Sequence, residues 1–277
     1  MMSDNPYHPK SDPVSNTATI DPEQIHFDEA IRVMSFNVRS DDDPIHVWAK
    51  RKDRVASVIR FHHADLIGLQ EPGQAQLDDL TRALPEFGSF AGIFNPIFYR
   101  KSRLHLISSG GFYLSETPDQ PSQGWDAKFV RATSWARFFD KKKKKEFVFF
   151  NTHFDYHGRL ARNESTQLLK QKVTEISGKT PFVIAGDFNL FPELGGEETY
   201  KLLTQDFADA QSSAQFPHHG PTGTWSGFKQ AGQPGIKPDC IFIGPKIEVY
   251  LHGVLSDTFD GQFPSDHLPV VADLMIH

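Results

Sequence analysis

The amino-acid sequence predicts an α/β fold on three observations. Short apolar runs alternate through the first third of the chain with segments whose apolar residues recur at helical spacing. Residues 88–154 then change to strand-like runs joined by turns. Several of the apolar runs end on a polar side chain, at the edge of a sheet where α/β proteins gather their ligands.

Residues 1–30 hold Pro, Ser, Asn, Asp and Thr without an apolar block. They are expected to be a flexible tail rather than a secretory signal, with one folded domain over 31–277. Ile31–Phe36 reads as a strand with Asn37 at its end, and Asp41, Asp42 and Asp43 follow in a loop kept open by Pro44. Clustered carboxylates can bind a hard cation, but a solvated turn is the preferred reading. Lys50–His62 has Val55, Val58, Ile59 and His62 on one helical face. Ala64–Gln70 is a second buried strand ending at Glu71 and Pro72, and Gln74–Leu84 a second helix.

The stretches 90–99, 104–114, 132–140 and 147–154 read as antiparallel strands. The lysines 141–145 sit between two of them, where a soluble turn or an edge guard is preferred over a nucleic-acid grip. The strand 147–150 leads into Asn151, Thr152, His153 and Asp155, and Arg159–Ile176 is a helix. Phe182–Ala185 is a buried strand followed by Gly186. Asp187 and Asn189 lie two apart, so both project from one face of an extended chain; an ordinary strand-to-loop turn would also use these residue types. A short helix is expected over 195–203 and a loop over 211–237, with Trp225 and Phe228 turned inward and His218 and His219 exposed to solvent. The strands 238–243, 249–255 and 270–275 close the chain, with Asp239 at the start of the first and Asp266 and His267 before the last.

Composition bounds the function. The 277 residues are 38% apolar and include 24 Phe, enough for a large core. The 29 basic and 35 acidic residues give a net charge of −6 and no general attraction for nucleic acid. The single cysteine, Cys240, excludes an internal disulfide framework and a cysteine-rich zinc site. No stretch reaches the roughly 20 apolar residues of a membrane span. A cytoplasmic chain without stable membrane insertion is therefore expected, and no partner protein is implied.

The polar strand ends lie in Ser-Phe-Asn (35–37), Leu-Gln-Glu (69–71), Asn-Thr-His (151–153), Gly-Asp-Phe-Asn (186–189), Pro-Asp-Cys-Ile-Phe (238–242) and Ser-Asp-His (265–267). In this order they resemble the motifs of the endonuclease/exonuclease/phosphatase superfamily, over about residues 31–276, and most closely a bacterial branch of small phosphoesterases. The resemblance implies a four-layer sandwich of two packed mixed β-sheets flanked by helices, with the site at one end of the sheets. It also implies a divalent-metal-dependent phosphoesterase that hydrolyses a phosphate mono- or diester by in-line attack of water.

A hard cation, Mg2+ or Mn2+, needs oxygen ligands. Glu71 is the first choice, with Asn37, and with Asp266 serving the metal or its surroundings. Asp187 resembles the family residue that deprotonates the water, and Asn189 would hold Asp187 or a phosphate oxygen. His267 would face the phosphate, paired with Asp239, and His153 would donate to it. Arg39 and Arg131 are candidate substrate contacts. The expected substrate is a phosphorylated small molecule or a nucleic-acid end. A nuclease would need a basic groove, for which Arg39, Arg100, Arg131, Arg159 and Arg162 are candidates. A non-catalytic phosphate-binding protein of the same fold is the third reading.

Overall fold

The computed structural model describes residues 27–277. Residues 1–26 of the expected tail lie outside the described residues, while Phe27–Glu29 form a 3-10 turn, so the described structure reaches back beyond the expected start at Ile31. The strands are β1 (Ile31–Asn37), β2 (Leu66–Gln70), β3 (Phe87–Phe90), β4 (Ile97–Arg100), β5 (Leu104–Tyr113), β6 (Ala132–Asp140), β7 (Lys145–His153), β8 (Phe182–Asp187), β9 (Ala208–Asp209), β10 (Asp239–Ile243), β11 (Ile247–Val254) and β12 (Val270–Ile276). The helices are α1 (Trp48–Phe61), α2 (Gln74–Ala83), α3 (Arg159–Ser177), α4 (Gly196–Leu203) and the one-turn α5 (Ala210–Ser213). Two mixed six-stranded sheets result, ordered β11-β12-β1-β2-β4-β3 and β5-β6-β7-β8-β10-β9.

The layers follow from which face each residue takes. In β1, Ile31 and Val33 pack between the sheets, while Met34 and Phe36 join Val55, Ile59 and Leu80 beneath α1 and α2. In β7, Phe147 and Phe149 enter the inter-sheet core, while Val148 and Phe150 meet Leu169 and Val173 of α3. Both faces of the central strands are covered, which is why these strands read as continuous apolar runs rather than alternating ones. Each fully buried Phe contributes roughly 1.5–3 kcal/mol, so β7 is among the strongest anchors of the fold.

Three expectations change in detail. The single strand over 90–99 is two, β3 and β4, split where Gly92 takes a left-handed φ of 62° and Pro96 cannot donate to a ladder. The expected loop begins inside α5, after the short β9. His219 is exposed, but His218 is only partly so: its Nδ1 lies 2.9 Å from His252 Nδ1 and its Nε2 2.9 Å from the Pro221 carbonyl oxygen.

One polar bridge crosses the inter-sheet core. The Gln70 amide donates to Asn151 Oδ1 at 2.7 Å, and the Asn151 amide donates to the Leu69 and Pro96 carbonyls at 2.9 Å. Gly68 makes room for it, since a Cβ there would stand 2.7 Å from Asn151. The bridge joins β2 to β7 one residue before Glu71 and two before His153.

Candidate active site

The site forms where β1, β2, β7 and β8 end and β10 and β12 begin. β7 and β8 are parallel with His153 opposite Asp187, and β8 and β10 antiparallel with Asp187 opposite Asp239. The ladder therefore places His153, Asp187 and Asp239 side by side on one sheet. On the facing sheet Asn37 pairs in register with Gln70, so Glu71 emerges beside it. The Asn37 amide joins the sheets by donating to Glu71 Oε1 and Asp187 Oδ2, each at 2.9 Å.

Asp187 is 1% exposed. Its other oxygen, Oδ1, accepts the Asn189 backbone N–H at 2.9 Å, while the Asn189 side chain donates to the Phe154 carbonyl. Asn189 thus holds Asp187 through its main chain, bent back by a φ of 51°. His153 Nε2 lies 3.4 Å and His267 Nε2 3.7 Å from Asp187 Oδ2. Arg131 donates to His153 Nδ1 at 3.1 Å, which leaves the His153 proton on Nε2, facing Asp187. His267 Nδ1 donates to Asp239 Oδ2 at 2.8 Å, and the Thr224 hydroxyl donates to the same oxygen at 2.6 Å.

Electrostatics separate the groups. Burial, and then the nearby Asp239, push the Asp187 carboxyl up to about 7, against the pull of His267. Burial opposes charge on His267, but Asp239 and Asp187 outweigh it and raise the imidazole to about 10. Burial, with cationic Arg131 and His267 close by, drives His153 well below its usual value, so it is neutral. Burial works against the Glu71 carboxylate, yet the Asn37 hydrogen bond, His267 and the Ser40 N–H keep it below the usual range. Burial, with Glu71 beside it, raises Asp266. A carboxyl with a pKa near neutrality, a cationic imidazole and a neutral imidazole therefore meet in one place.

The donor chemistry also fits a hard divalent cation. Glu71 and Asp266 carry carboxylate oxygens on either side of Arg39, and Asn37 adds a carbonyl oxygen. Asp266 accepts a 3.3 Å contact from Ser265 and a hydrogen bond from its own backbone N–H, and burial first, then Glu71, raise its carboxyl, so a positive charge beside it would be favourable. Glu71, His153 and Asp187 also group closely enough to share an ion. Arg39 approaches Glu71, Asp266 and Asp42 only to 3.7–3.8 Å, and its Nε has no hydrogen-bond partner.

The remaining expected groups lie elsewhere. Arg162 is buried and donates to the carbonyls of Asp155, Tyr156 and Leu194; Arg159 pairs with Glu198 and Arg100 with Asp65. None of them lines the pocket. The acidic run is structural: Asp41 accepts the Trp48 N–H, and Asp43 accepts those of Ile45 and His46. The lysine run forms the β6–β7 turn, at the opposite end of the sheet from His153.

A pocket of about 770 Å3 opens over the site, lined by Glu71, His153, Asp187, Asn189 and His267, with Arg39 and Arg131. Sequence reasoning missed Thr224 as a support for Asp239, because a loop threonine carries no distinguishing signal. It also missed the aromatic lining from Phe94, Phe129, Tyr156 and Phe191; the Phe-rich composition hinted at core, not at pocket.

The family profile for the endonuclease/exonuclease/phosphatase family matches residues 34–267. Among solved structures, an endonuclease/exonuclease/phosphatase family protein from Bacteroides thetaiotaomicron is 31% identical with a TM-score of 0.82, covering 90% of this chain and 98% of its own. A mannosyl-6-phosphatase from the same organism is 31% identical with a TM-score of 0.81, covering 89% of this chain and 100% of its own. Among curated relatives, the uncharacterised protein R895 of Acanthamoeba polyphaga mimivirus is 24% identical over 85% of this chain, which spans 42% of that relative's length.

Proposed function

Because the chain belongs to the endonuclease/exonuclease/phosphatase family, we propose that it hydrolyses a phosphate ester of a small molecule, using Asp187 to take the proton of the attacking water. The observation that carries this reading is the placing of Asp187 between a neutral His153 and a cationic His267, with its carboxyl raised to about 7, at the floor of the pocket. Asn37 and the Asn189 N–H orient the carboxylate. The Nε2–H groups of His153 and His267 are the donors for phosphate oxygens, and Asp239 with Thr224 fixes the His267 ring. Arg39 and Arg131 add positive charge at the wall. Glu71, Asp266 and Asn37 would hold a divalent cation, magnesium or manganese, which when bound supplies charge neutralisation to the phosphate.

A small molecule is favoured over a polynucleotide because Arg100, Arg159 and Arg162, expected as a basic groove, do not line the pocket and are paired elsewhere. The mannosyl-6-phosphatase likeness supports a phosphorylated sugar. No helix among the described residues is long and apolar enough to cross a membrane.

The test is a screen over phosphomonoesters, phosphodiesters, inositol phosphates, nucleotides and short oligonucleotides, with magnesium or manganese and after exhaustive chelation. Turnover of small esters that chelation abolishes and metal restores is expected. Full activity without metal would remove the ion from the reaction. Turnover confined to oligonucleotides would make the protein a nuclease, and binding without turnover would leave a phosphate-binding protein.

A further inference from the structure

Aromatic rings line the pocket in an unbroken series. From the mouth inward, Phe129 meets His157 at 6.2 Å between ring centroids, His157 meets Tyr156 at 5.1 Å, Tyr156 meets Phe191 at 5.6 Å, Phe191 meets Trp225 at 5.6 Å, and Trp225 meets His267 at 4.9 Å. Every one of these rings lines the same cavity. The series ends edge-on against the imidazole that faces Asp187. Its outer members stay open to solvent, Phe129 at 49% and Tyr156 at 39% exposure. Lys128 and Arg131 stand over the Phe129 ring, 5.6 and 5.4 Å from its centroid, yet about half of it stays open, and apolar rings partly exposed along one wall mark a surface that a ligand covers.

The wall is longer than a phosphate needs. Each step is about one sugar ring wide, and the cavity of about 770 Å3 holds several times the volume of a phosphate group. Beside the rings the lining offers hydroxyl, amide and carboxylate groups on Ser40, Asn95, Gln233, Asp42 and Glu193, among apolar patches from Pro72, Phe94, Val130, Ala132 and Ile236. From His157 inward these rings meet one another edge to face, at 78–89°, and their open parts beside such polar groups match a carbohydrate, whose C–H face packs on aromatic rings and whose hydroxyls bond to amides and carboxylates. A single-stranded nucleic acid would also stack on the rings, but it needs positive charge for each further phosphate. The pocket offers Arg39 and Arg131, already beside carboxylates, and no lysine lines it.

We infer that the leaving group is a carbohydrate of at least two sugar rings, laid along the Phe129–Tyr156–Trp225 wall with its phosphorylated end at His267. This rests on the phosphate site proposed above and adds what the phosphate is attached to.

The test compares kcat/KM of the magnesium-loaded protein for a disaccharide 6-phosphate, the corresponding monosaccharide 6-phosphate and a 5′-phosphorylated tetrathymidylate. The disaccharide ester is expected to exceed the monosaccharide ester by about tenfold, through KM, and Phe129→Ala or Tyr156→Ala to lower that ratio about three- to tenfold. A fold defect would lower both values and leave the ratio unmoved. A ratio near one in the wild type, or preference for the oligonucleotide, overturns the inference while leaving a phosphoesterase. Should no ester turn over, the hydrolytic reading fails, and titration calorimetry decides the inference: tighter binding of the disaccharide ester than of the monosaccharide ester supports it, and equal binding sinks it.

Discussion

At the amino end of β1, Arg32 grips Asp273 with two hydrogen bonds of 2.7 Å, and nearby Arg103 grips Asp140 at 2.7 and 2.9 Å. At the carboxyl end of the same strand, Arg39 comes no closer than 3.7 Å to the carboxylates around it, and the contacts of Asp187 with two imidazoles are 3.4 and 3.7 Å. Both ends concentrate charge. The amino end satisfies it with short bidentate arginine pairs; the carboxyl end has one short pair, His267 with Asp239 at 2.8 Å, and leaves Arg39, Asp187 and Asp266 loosely paired, with the pKa values of Asp187, Asp266 and His267 displaced. Bidentate arginine pairs mark charge that holds the fold, and carboxylates left loosely paired in a pocket mark charge kept for a ligand.

The sharpest way to break this contrast is Asp187→Asn. It should lower kcat by roughly 10³-fold or more without lowering the melting temperature, because it removes a carboxyl whose burial is costly; near-normal turnover in steady-state assays would end its role as base. Asp140→Ala at the other end should do the reverse. Asp140 is fully buried, and stranding Arg103 should cost about 3 kcal/mol in denaturant unfolding, with kcat per folded molecule unchanged.

Asp239→Asn should lower kcat by roughly 10–100-fold, since it frees the His267 ring. It should also alter the pH profile. On the proposed role His267 acts as the cation, with its pKa raised to about 10, so activity should fall as pH rises through that value; without Asp239 the falling limb should move down toward the ordinary histidine value. An unmoved limb would assign it to another group. The smallest effect belongs to the hairpin tip: Lys143→Ala loses a 2.6 Å pair with Glu29, and should cost less than about 0.5 kcal/mol, screened by salt, with no change in turnover.

Burial of His252 gives a further check on stability. Its burial, then Lys237, lowers the imidazole from 6.5 to about 3, so the folded state binds fewer protons than the unfolded one. Stability is then fully present above pH 6.5 and is lost as pH falls from there toward 3, which unfolding curves across that window would show.

How much of this was legible in the sequence depended on range. The strands with apolar residues on both faces could be read because periodicity is local, and Asp187 with Asn189 could be placed because two residues in an extended chain share a face. That β8 sits between β7 and β10, and so sets Asp187 beside both His153 and Asp239, is a product of strand order that no local pattern encodes; the family resemblance supplied the expectation instead. Arg162 shows the limit. It looked like a groove arginine, yet it is spent on three backbone carbonyls, a demand created only when the 155–158 turn and the 192–194 turn meet. The aromatic wall was invisible for the same reason, its rings coming from four separate loops.

Because His153, Asp187 and Asp239 are neighbours across adjacent strands, their spacing is inherited from the sheet's own ~4.8 Å repeat. The loops bearing Phe129 and Tyr156 take no part in setting it, whereas the loop bearing Trp225 also carries Thr224, which holds Asp239. On the proposed function, the Phe129 and Tyr156 loops could be exchanged to accept a different alcohol while the polar end keeps its dimensions, whereas inserting one residue within β8 would turn Asp187 away.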